Sequence, residues 1–363
     1  MPKRSLLLIT SLSLVLAACG GPADTTTTAG QESTTTTRPE VETPEATRLS
    51  YALVPGTSYT YEVDLDQQID MTTTGDATAL GEEGIPGELS MRISGTTNFT
   101  YSVADGPETG TYAVTITGDF TGVEFAGTMD GEPADPDEIP DFADIEPFEV
   151  TVIVDEQGNL ITEDADPDDL FGDLFGGLDS FGDFGAAGLD PGRFFGPPLS
   201  DEEVTVGDRW SETIEIPMFG DGEPSTSTFE SEVSRADIVD GVDVLVIEST
   251  VTTSAITFDL AELLIGMFEA FIPPDATDED LAELEALTAD LRFLFVLDAS
   301  ESTMTTWFDP EAGISRMAEF SGSNRFAMDI NMPDEDTGEM LAFGLEMTIS
   351  QTMSHRLVGA PEA

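Results

Sequence analysis

Apolar and polar residues alternate with a period of two along much of the chain, a pattern typical of β-strands that bury one face. The first such stretch, residues 59–65, follows a Pro55-Gly56 turn. Further strands are expected at 91–103, 110–116, 148–154, 293–297, 303–308, 325–330 and 341–352. Residues 118–129 either continue the third of these strands or turn back on it. The pattern predicts a mainly β protein with antiparallel, curved sheets.

One part of the second half has a helical pattern instead. Residues 260–271 are apolar almost all round, and Pro273-Pro274 ends this run. Thr277 is then followed by three acidic residues, as expected for a helix N-cap and first turn. Leucines at helical spacing follow, namely Leu281, Leu284, Leu287 and Leu291. We therefore predict a helical hairpin insertion at 259–292, packed on a sheet, which makes the fold class mainly β (α+β).

Landmarks of the first half recur in the second half in the same order. The opening Gly56-Thr57-Ser58-Tyr59 recurs as Gly207-Asp208-Arg209-Trp210. The strand at 240–247 resembles 109–116, and the turn at 309–314 resembles the hairpin turn at 155–160. These matches predict a duplicated β unit, with a first copy at 49–163 and a second at 201–357. Coincidence is the alternative, because Gly-x-x-aromatic and Asp-Gly sequences are common in hairpins.

The segment between the two units, residues 164–200, has an unusual composition of acids, glycines and phenylalanines. Leu170, Leu174, Leu178 and Phe181 fall at helical spacing, but the intervening glycines weaken any helix. Two interpretations stand: a partly helical flap that lies over an apolar site, or a long acidic linker. The chain ends in a short polar tail, residues 358–363.

The beginning of the chain has the pattern of a secretory signal peptide. Lys3 and Arg4 precede an apolar run at 6–18, and small residues lead to the only cysteine of the chain, Cys19. The sequence Leu16-Ala17-Ala18-Cys19 resembles a bacterial lipobox. In lipoproteins with this motif, residues equivalent to 1–18 are removed and the cysteine carries diacylglycerol and acyl chains such as palmitate. The alternative is an ordinary signal peptide in which Cys19 is incidental.

The resemblance implies lipid attachment at Cys19 and a place on the extracytoplasmic face of the cell membrane. Each buried methylene contributes about 0.8 kcal/mol, so several acyl chains anchor a protein stably. Residues 19–48 then form a tether with threonine runs at 25–28 and 34–37 and no apolar periodicity, which predicts disorder. With Cys19 acylated, the mature chain has no cysteine left for a disulfide.

The chain is strongly acidic, with 73 acidic residues against 12 basic ones and a formal charge of −61. This charge argues against binding to nucleic acid and against electrostatic docking on anionic lipid. Two explanations remain: solubility in a saline habitat, or binding of cations or basic partners. Acids spread along the whole chain favour the first explanation.

Motifs that would support catalysis are not found in the sequence. His355 is the only histidine and is expected at the surface near the tail, so nucleophilic triads and histidine–cysteine zinc sites have no basis. Lys3 is the only lysine, which excludes a phosphate-binding Gly-Lys loop. Residues 164–168 resemble the start of a calcium loop, but Asp169 and Phe175 break its pattern. We therefore predict no catalytic, cofactor-binding or metal-binding residues and assign only Cys19 as a site.

The turn and strand motifs resemble an uncharacterised family of secreted bacterial β proteins. More loosely, a sheet with helices on one face resembles the half-barrel envelope proteins that carry lipids or lipoproteins. This resemblance implies a lipoprotein, not an enzyme, that binds an apolar ligand in a cavity between sheet and helices. The alternatives are a structural or protein-interaction module without a cavity, and a hydrolase that uses only acidic residues. The expected partners are the membrane, through Cys19, and the apolar ligand.

Overall fold

The computed structural model describes residues 46–51, 53–75, 87–118, 122–133, 148–155, 196–216, 225–259, 292–333 and 340–358. Within these residues the protein forms sixteen β-strands and no helix. The strands are β1 (Thr47–Arg48), β2 (Ser58–Gly75), β3 (Glu88–Asp105), β4 (Thr111–Gly118), β5 (Val123–Met129), β6 (Glu132–Pro133), β7 (Phe148–Asp155), β8 (Glu203–Val204), β9 (Arg209–Ile216), β10 (Ser225–Val239), β11 (Val242–Thr253), β12 (Ile256–Asp259), β13 (Arg292–Leu297), β14 (Ser300–Asp309), β15 (Ile314–Pro333) and β16 (Met340–Leu357).

Fourteen of these strands form one sheet, in which all pairings are antiparallel. The main order is β6-β5-β3-β2-β16-β15-β14-β11-β10-β9. Strands β4 and β7 branch from β3, and strands β13 and β12 branch from β15. Strands β1 and β8 form a separate two-stranded ribbon.

Four long strands, β3, β2, β16 and β15, run side by side through the middle of the sheet. The last part of β3 pairs with β4, whereas its first part pairs with β5. In the same way, the first part of β15 pairs with β14 and its last part pairs with β13. The long strands therefore connect two ends of the sheet, each widened by its own neighbouring strands.

Two meanders of equal strand order lie on either side of β16 and β15: β2-β3-β4-β7 and β9-β10-β11-β14. They open with the same hydrogen bonds. The N–H of Gly56 donates to the carbonyl of Val103 at 2.8 Å, and that of Gly207 donates to the carbonyl of Val233 at 2.7 Å. Each valine N–H donates back to the residue after the glycine, at 2.9 and 3.0 Å. Both glycines have positive φ, 85° and 96°, a conformation that other residues rarely adopt.

The alternation of the sequence located many of the strands, but it missed β10 and most strands are longer than expected. The segment at 118–129 continues the third expected strand, because β5 pairs with β3 in the same direction as β4 and lies next to β4 along β3. Strand β1 lies within the residues that the sequence assigned to the tether and pairs with β8. The first meander also has an insertion, β5 and β6, at the chain position where the second has β12 and β13.

Several expectations lie outside the described residues. The predicted helical hairpin is one of them, since the structure describes only its flanking strands β12 and β13, which pair with each other. The turn at 156–160, the segment 164–195, the tail residues 359–363 and the whole of 1–45 are also outside. A duplicated unit and a curved sheet stay predictions, and the described residues support the coarser statement of a mainly β, antiparallel fold.

Candidate functional site

Three of the central strands, β2, β15 and β16, have one face without acidic side chains. Residues directly opposite each other in a ladder point to the same side of a sheet. By this rule the odd-numbered residues of 59–73 in β2 and 343–357 in β16 share a face with the even-numbered residues of 316–330 in β15. None of these positions is an acid. We call this side the inner face.

The outer face carries the charge. On β2 alone its members include Glu62, Asp64, Asp66 and Asp70. Asp66 accepts two hydrogen bonds from Arg92 of β3, at 2.8 and 2.6 Å, and this arginine holds the pKa of Asp66 below its usual value. The acids of β2 are therefore sorted to one side of the strand.

One end of the inner face forms a cluster that we call the tyrosine core. Four of the five tyrosines of the chain are buried in it and the fifth, Tyr112, packs against it. Its buried members are Leu49, Tyr51, Leu53, Tyr59, Tyr61, Val63, Tyr101, Val103, Val114, Ile116, Val152, Val154, Leu199, Val204, Val233, Leu245, Ile247, Phe308, Ile314 and Leu357. Leu49, Leu53 and Leu199 belong to segments outside the large sheet, so these segments supply a second layer.

Specific contacts fix the tyrosine core. The hydroxyl of Tyr61 donates to the carbonyl of Ser315 at 3.0 Å, and its ring meets Tyr101 edge to face at 5.3 Å. Trp210 donates its indole N–H to the carbonyl of Pro198 at 2.9 Å. Burial raises the pKa of Tyr61 and of Tyr101 above the ordinary tyrosine value. These side chains are therefore neutral structural groups.

The other end of the inner face forms a second cluster, which we call the methionine face. Its buried members are Ile69, Met71, Leu89, Met91, Ile93, Ile256, Phe295, Leu297, Phe326, Met347 and Ile349, with Leu65, Met129, Met328 and Leu345 partly buried. Five of these fifteen residues are methionines, whereas the whole chain has 13 in 363. All fifteen come from strands of the one large sheet.

Polar side chains lie along the border between the two clusters. We call them the polar belt: Gln67 of β2, Gln351 of β16, Asn324 of β15, and Ser300, Ser302 and Thr306 of β14. Gln67 lies directly opposite Gln351, and Gln351 lies opposite Gly322 of β15, which has no side chain to fill the space beside it. Gln67, Asn324, Ser302 and Thr306 are at most 1% exposed.

Some belt atoms have no hydrogen-bond partner within the described part of the chain. They are the hydroxyls of Ser300, Ser302 and Thr306 and the side-chain carbonyl of Gln351. By contrast, the neighbouring hydroxyls of Ser231 and Ser249, on β10 and β11, bond each other at 2.8 Å. Buried polar atoms in folded proteins are nearly always bonded, so this group requires an explanation.

His355 is not the surface residue that the sequence suggested. It lies on the inner face of β16, partly buried, with its ring 5.2 Å from that of Tyr61 and its Nε2 3.5 Å from Ser315 Oγ. Burial lowers the pKa of His355 to about 4. The side chain is therefore uncharged near neutral pH.

A buried ion pair closes the β14–β15 turn and was not found from the sequence. Asp309, 2% exposed, accepts hydrogen bonds from Arg316 at 2.7 and 3.0 Å. Its other oxygen accepts from the backbone N–H groups of Glu311 and Ala312, at 3.0 and 2.9 Å. Both carboxylate oxygens of Asp309 accept hydrogen bonds within the turn, so the ion pair has a structural role.

The assigned lipid site and the calcium-like segment cannot be placed, because Cys19 and residues 164–168 lie outside the described residues. Within the described ranges, no group of three or more histidine, cysteine or acidic side chains is arranged to hold a metal. No helix suited to crossing a bilayer occurs in the same ranges.

Comparisons with known proteins give weak structural similarities. No family model and no curated protein sequence matches the chain. A structure titled for lipid–protein interactions in lipovitellin aligns with 86% of this chain at a TM-score of 0.32 and 13% identity. The alignment covers 26% of the lipovitellin chain.

Two structures from Pseudomonas species align at still lower scores. Pseudomonas aeruginosa OccK7 (OpdD) aligns over 85% of this chain and all of its own, with a TM-score of 0.21 and 7% identity. An outer membrane channel of Pseudomonas putida F1 aligns over 88% of this chain and 100% of the channel's own chain. Its TM-score is 0.19 and its sequence identity is 7%. All three are β-rich neighbours at scores too low to assign a fold family.

Proposed function

We propose that this protein is a membrane-anchored extracytoplasmic lipoprotein that binds an apolar ligand on the methionine face. The observation that carries the proposal is the composition of that face. Methionine is unbranched and polarisable, so it adapts to ligands of varied shape, and it is overused on binding surfaces. Isoleucine, leucine and phenylalanine make up all of the remainder, and the inner-face positions of β2, β15 and β16 carry no acid.

We also propose the finer features of the fold. The sheet curves around the methionine face, because large antiparallel sheets twist and coil. The two meanders are copies of one unit, as their matching glycine turns suggest. A helical hairpin is inserted between β12 and β13, both of which contribute residues to the methionine face.

The ligand proposal is tested by native mass spectrometry and solvent extraction of the full-length protein, purified in detergent from a lipid-containing bacterial host. We expect a stoichiometric apolar molecule that solvent removes. The double variant Met71→Leu, Met347→Leu conserves volume and should cost less than about 1.5 kcal/mol of stability. We expect this double variant to bind a narrower range of apolar molecules, because the branched leucine side chain adapts less well than methionine to ligands of different shape.

Met317→Leu is the matched control. Met317 lies on the outer side of β15, where it packs near Trp307, so its replacement should leave ligand content unchanged. A protein that carries no extractable molecule, and takes up no added fluorescent apolar probe, would contradict the ligand proposal. It would favour a structural or interaction module.

The anchor is tested separately. Cells that express the full chain are labelled with an alkyne fatty acid. The amount of label on the protein, and the share of the protein in the membrane fraction, are then compared between wild type and Cys19→Ala. We expect the wild type to be labelled and membrane-bound, with a covalent mass that survives solvent extraction. An equally labelled and equally membrane-bound variant would show that Cys19 is not the attachment site.

A further inference from the structure

We propose that the polar belt binds the uncharged, hydrogen-bonding part of an amphiphilic ligand whose hydrocarbon part lies on the methionine face. This inference rests on the proposed function and names the chemical class of the ligand. It starts from the position of the belt, between an end of the inner face that is filled and fixed by specific contacts and an end that is rich in methionine.

The first argument is hydrogen bonding. Ser302 and Thr306 are 1% and 0% exposed, and their hydroxyls have no partner among the described residues. A buried hydroxyl without a partner costs about 1–3 kcal/mol. Both hydroxyls can donate and accept, and Gln351 adds a carbonyl acceptor. A ligand with hydroxyl, ester or amide groups matches this set.

The second argument is charge. An anionic head group buried here would need a cation, but Arg316 already bonds Asp309, and His355 is neutral near neutral pH. A cationic head group would need an acid, and the inner positions of β2, β15 and β16 have none. Burying an unpaired charge costs far more than burying a bonded neutral group. The belt therefore favours a neutral head group.

The third argument is space. Gly322 lies at the centre of the belt, opposite Gln351, and its strand neighbours on the same face are Phe320 and Asn324. A glycine inside a strand often marks a place where another group approaches the backbone. At this position bare backbone lies on the inner face between the facing side chains of β16 and β14.

The test uses three probes with the same eighteen-carbon, cis-9-unsaturated chain: monoolein, oleate and cis-9-octadecene. Binding to the full-length protein in detergent is measured by native mass spectrometry. We expect monoolein to bind about tenfold more tightly than the other two, because its neutral head group bonds the belt. Thr306→Val and Ser302→Ala should each weaken monoolein about threefold to tenfold and leave octadecene unchanged. Thr303→Val, on the exposed outer side of β14, should change neither.

The outcomes separate this inference from the proposed function. One outcome is that octadecene binds as tightly as monoolein, or that the belt variants weaken the binding of both probes equally. In that case the methionine face binds apolar molecules, but the polar belt does not bind the head group. If oleate binds most tightly, the neutral assignment is wrong. If no probe binds, both proposals fail, and the belt atoms are bonded by buried water instead.

Discussion

The two ends of the inner face are both apolar, but they are built differently. The tyrosine core combines aromatic rings and β-branched residues, has hydrogen bonds at Tyr61 and Trp210, and is covered by segments from outside the sheet. The methionine face consists of flexible side chains from one sheet, without such covering segments among the described residues. This difference teaches that two buried apolar clusters of one sheet can differ in side-chain adaptability and in nearby unbonded polar atoms. The proposed ligand site rests on these two features and not on apolar burial alone.

The largest expected effect is in the tyrosine core. Phe308 is 0% exposed and meets the ring of Tyr51 edge to face at 5.6 Å. We expect Phe308→Ala to lower the free energy of unfolding by about 3–5 kcal/mol, because it leaves a cavity between two layers. Urea unfolding measures this loss of stability. Val358→Ala is the control, because Val358 is 49% exposed. A loss below about 1 kcal/mol would show that this end is as adaptable as the other.

The second-largest expected loss of stability is at the buried ion pair of Asp309 and Arg316. Arg316→Ala leaves the carboxylate of Asp309 buried without its cation, and we expect a loss of about 3 kcal/mol. Arg356→Ala is the control, because Arg356 and Asp240 form a pair in which both side chains are more than half exposed. It should cost less than about 1 kcal/mol. Equal losses in the two variants would contradict a structural role of the buried pair.

His355 provides a pH-dependent probe of the boundary of the tyrosine core. Its folded pKa of about 4 lies below the ordinary histidine value of 6.5, so the unfolded chain binds more protons between these pH values. Its contribution to stability is complete above about pH 6.5 and is lost as the pH falls toward 4, with a slope approaching about 1.4 kcal/mol per pH unit. The single histidine gives one Cε1–H proton signal by NMR, which reports the midpoint directly. A midpoint near 6.5 would place the ring in water.

The smallest effect distinguishes the polar belt from ordinary buried hydroxyls. Without ligand, Thr306→Val should leave stability unchanged or raise it by up to about 1 kcal/mol, since it removes an unbonded polar atom. Ser231→Ala should instead lower stability by about 1 kcal/mol, because it leaves Ser249 without its partner. Urea unfolding of solvent-extracted protein compares the two. Destabilisation by Thr306→Val would show that its hydroxyl is bonded in the folded protein.

Much of the strand content could be predicted, because alternation depends on local sequence. Residues 59–65 and 91–103 were recognised, and so were the turns at Gly56 and Gly207. The belt could not be predicted. Ser302 and Thr306 sit in a run of serines and threonines that looks the same on both faces of β14. His355 was misjudged because nearness to the end of the chain says nothing about burial.

The sequence by itself determined the strand periodicity, and with it which residues of each strand share a face. It also supplied the lipobox-like motif at Cys19, which stays a prediction. Only the tertiary structure decided which strands are neighbours. Strand β16, near the end of the chain, lies between β2 and β15 and places Gln351 opposite Gln67. Together with β15 it joins the two meanders. The physical reason is that period-two alternation fixes the side on which a residue lies but not its partner, because pairing between distant strands depends on packing across the whole sheet.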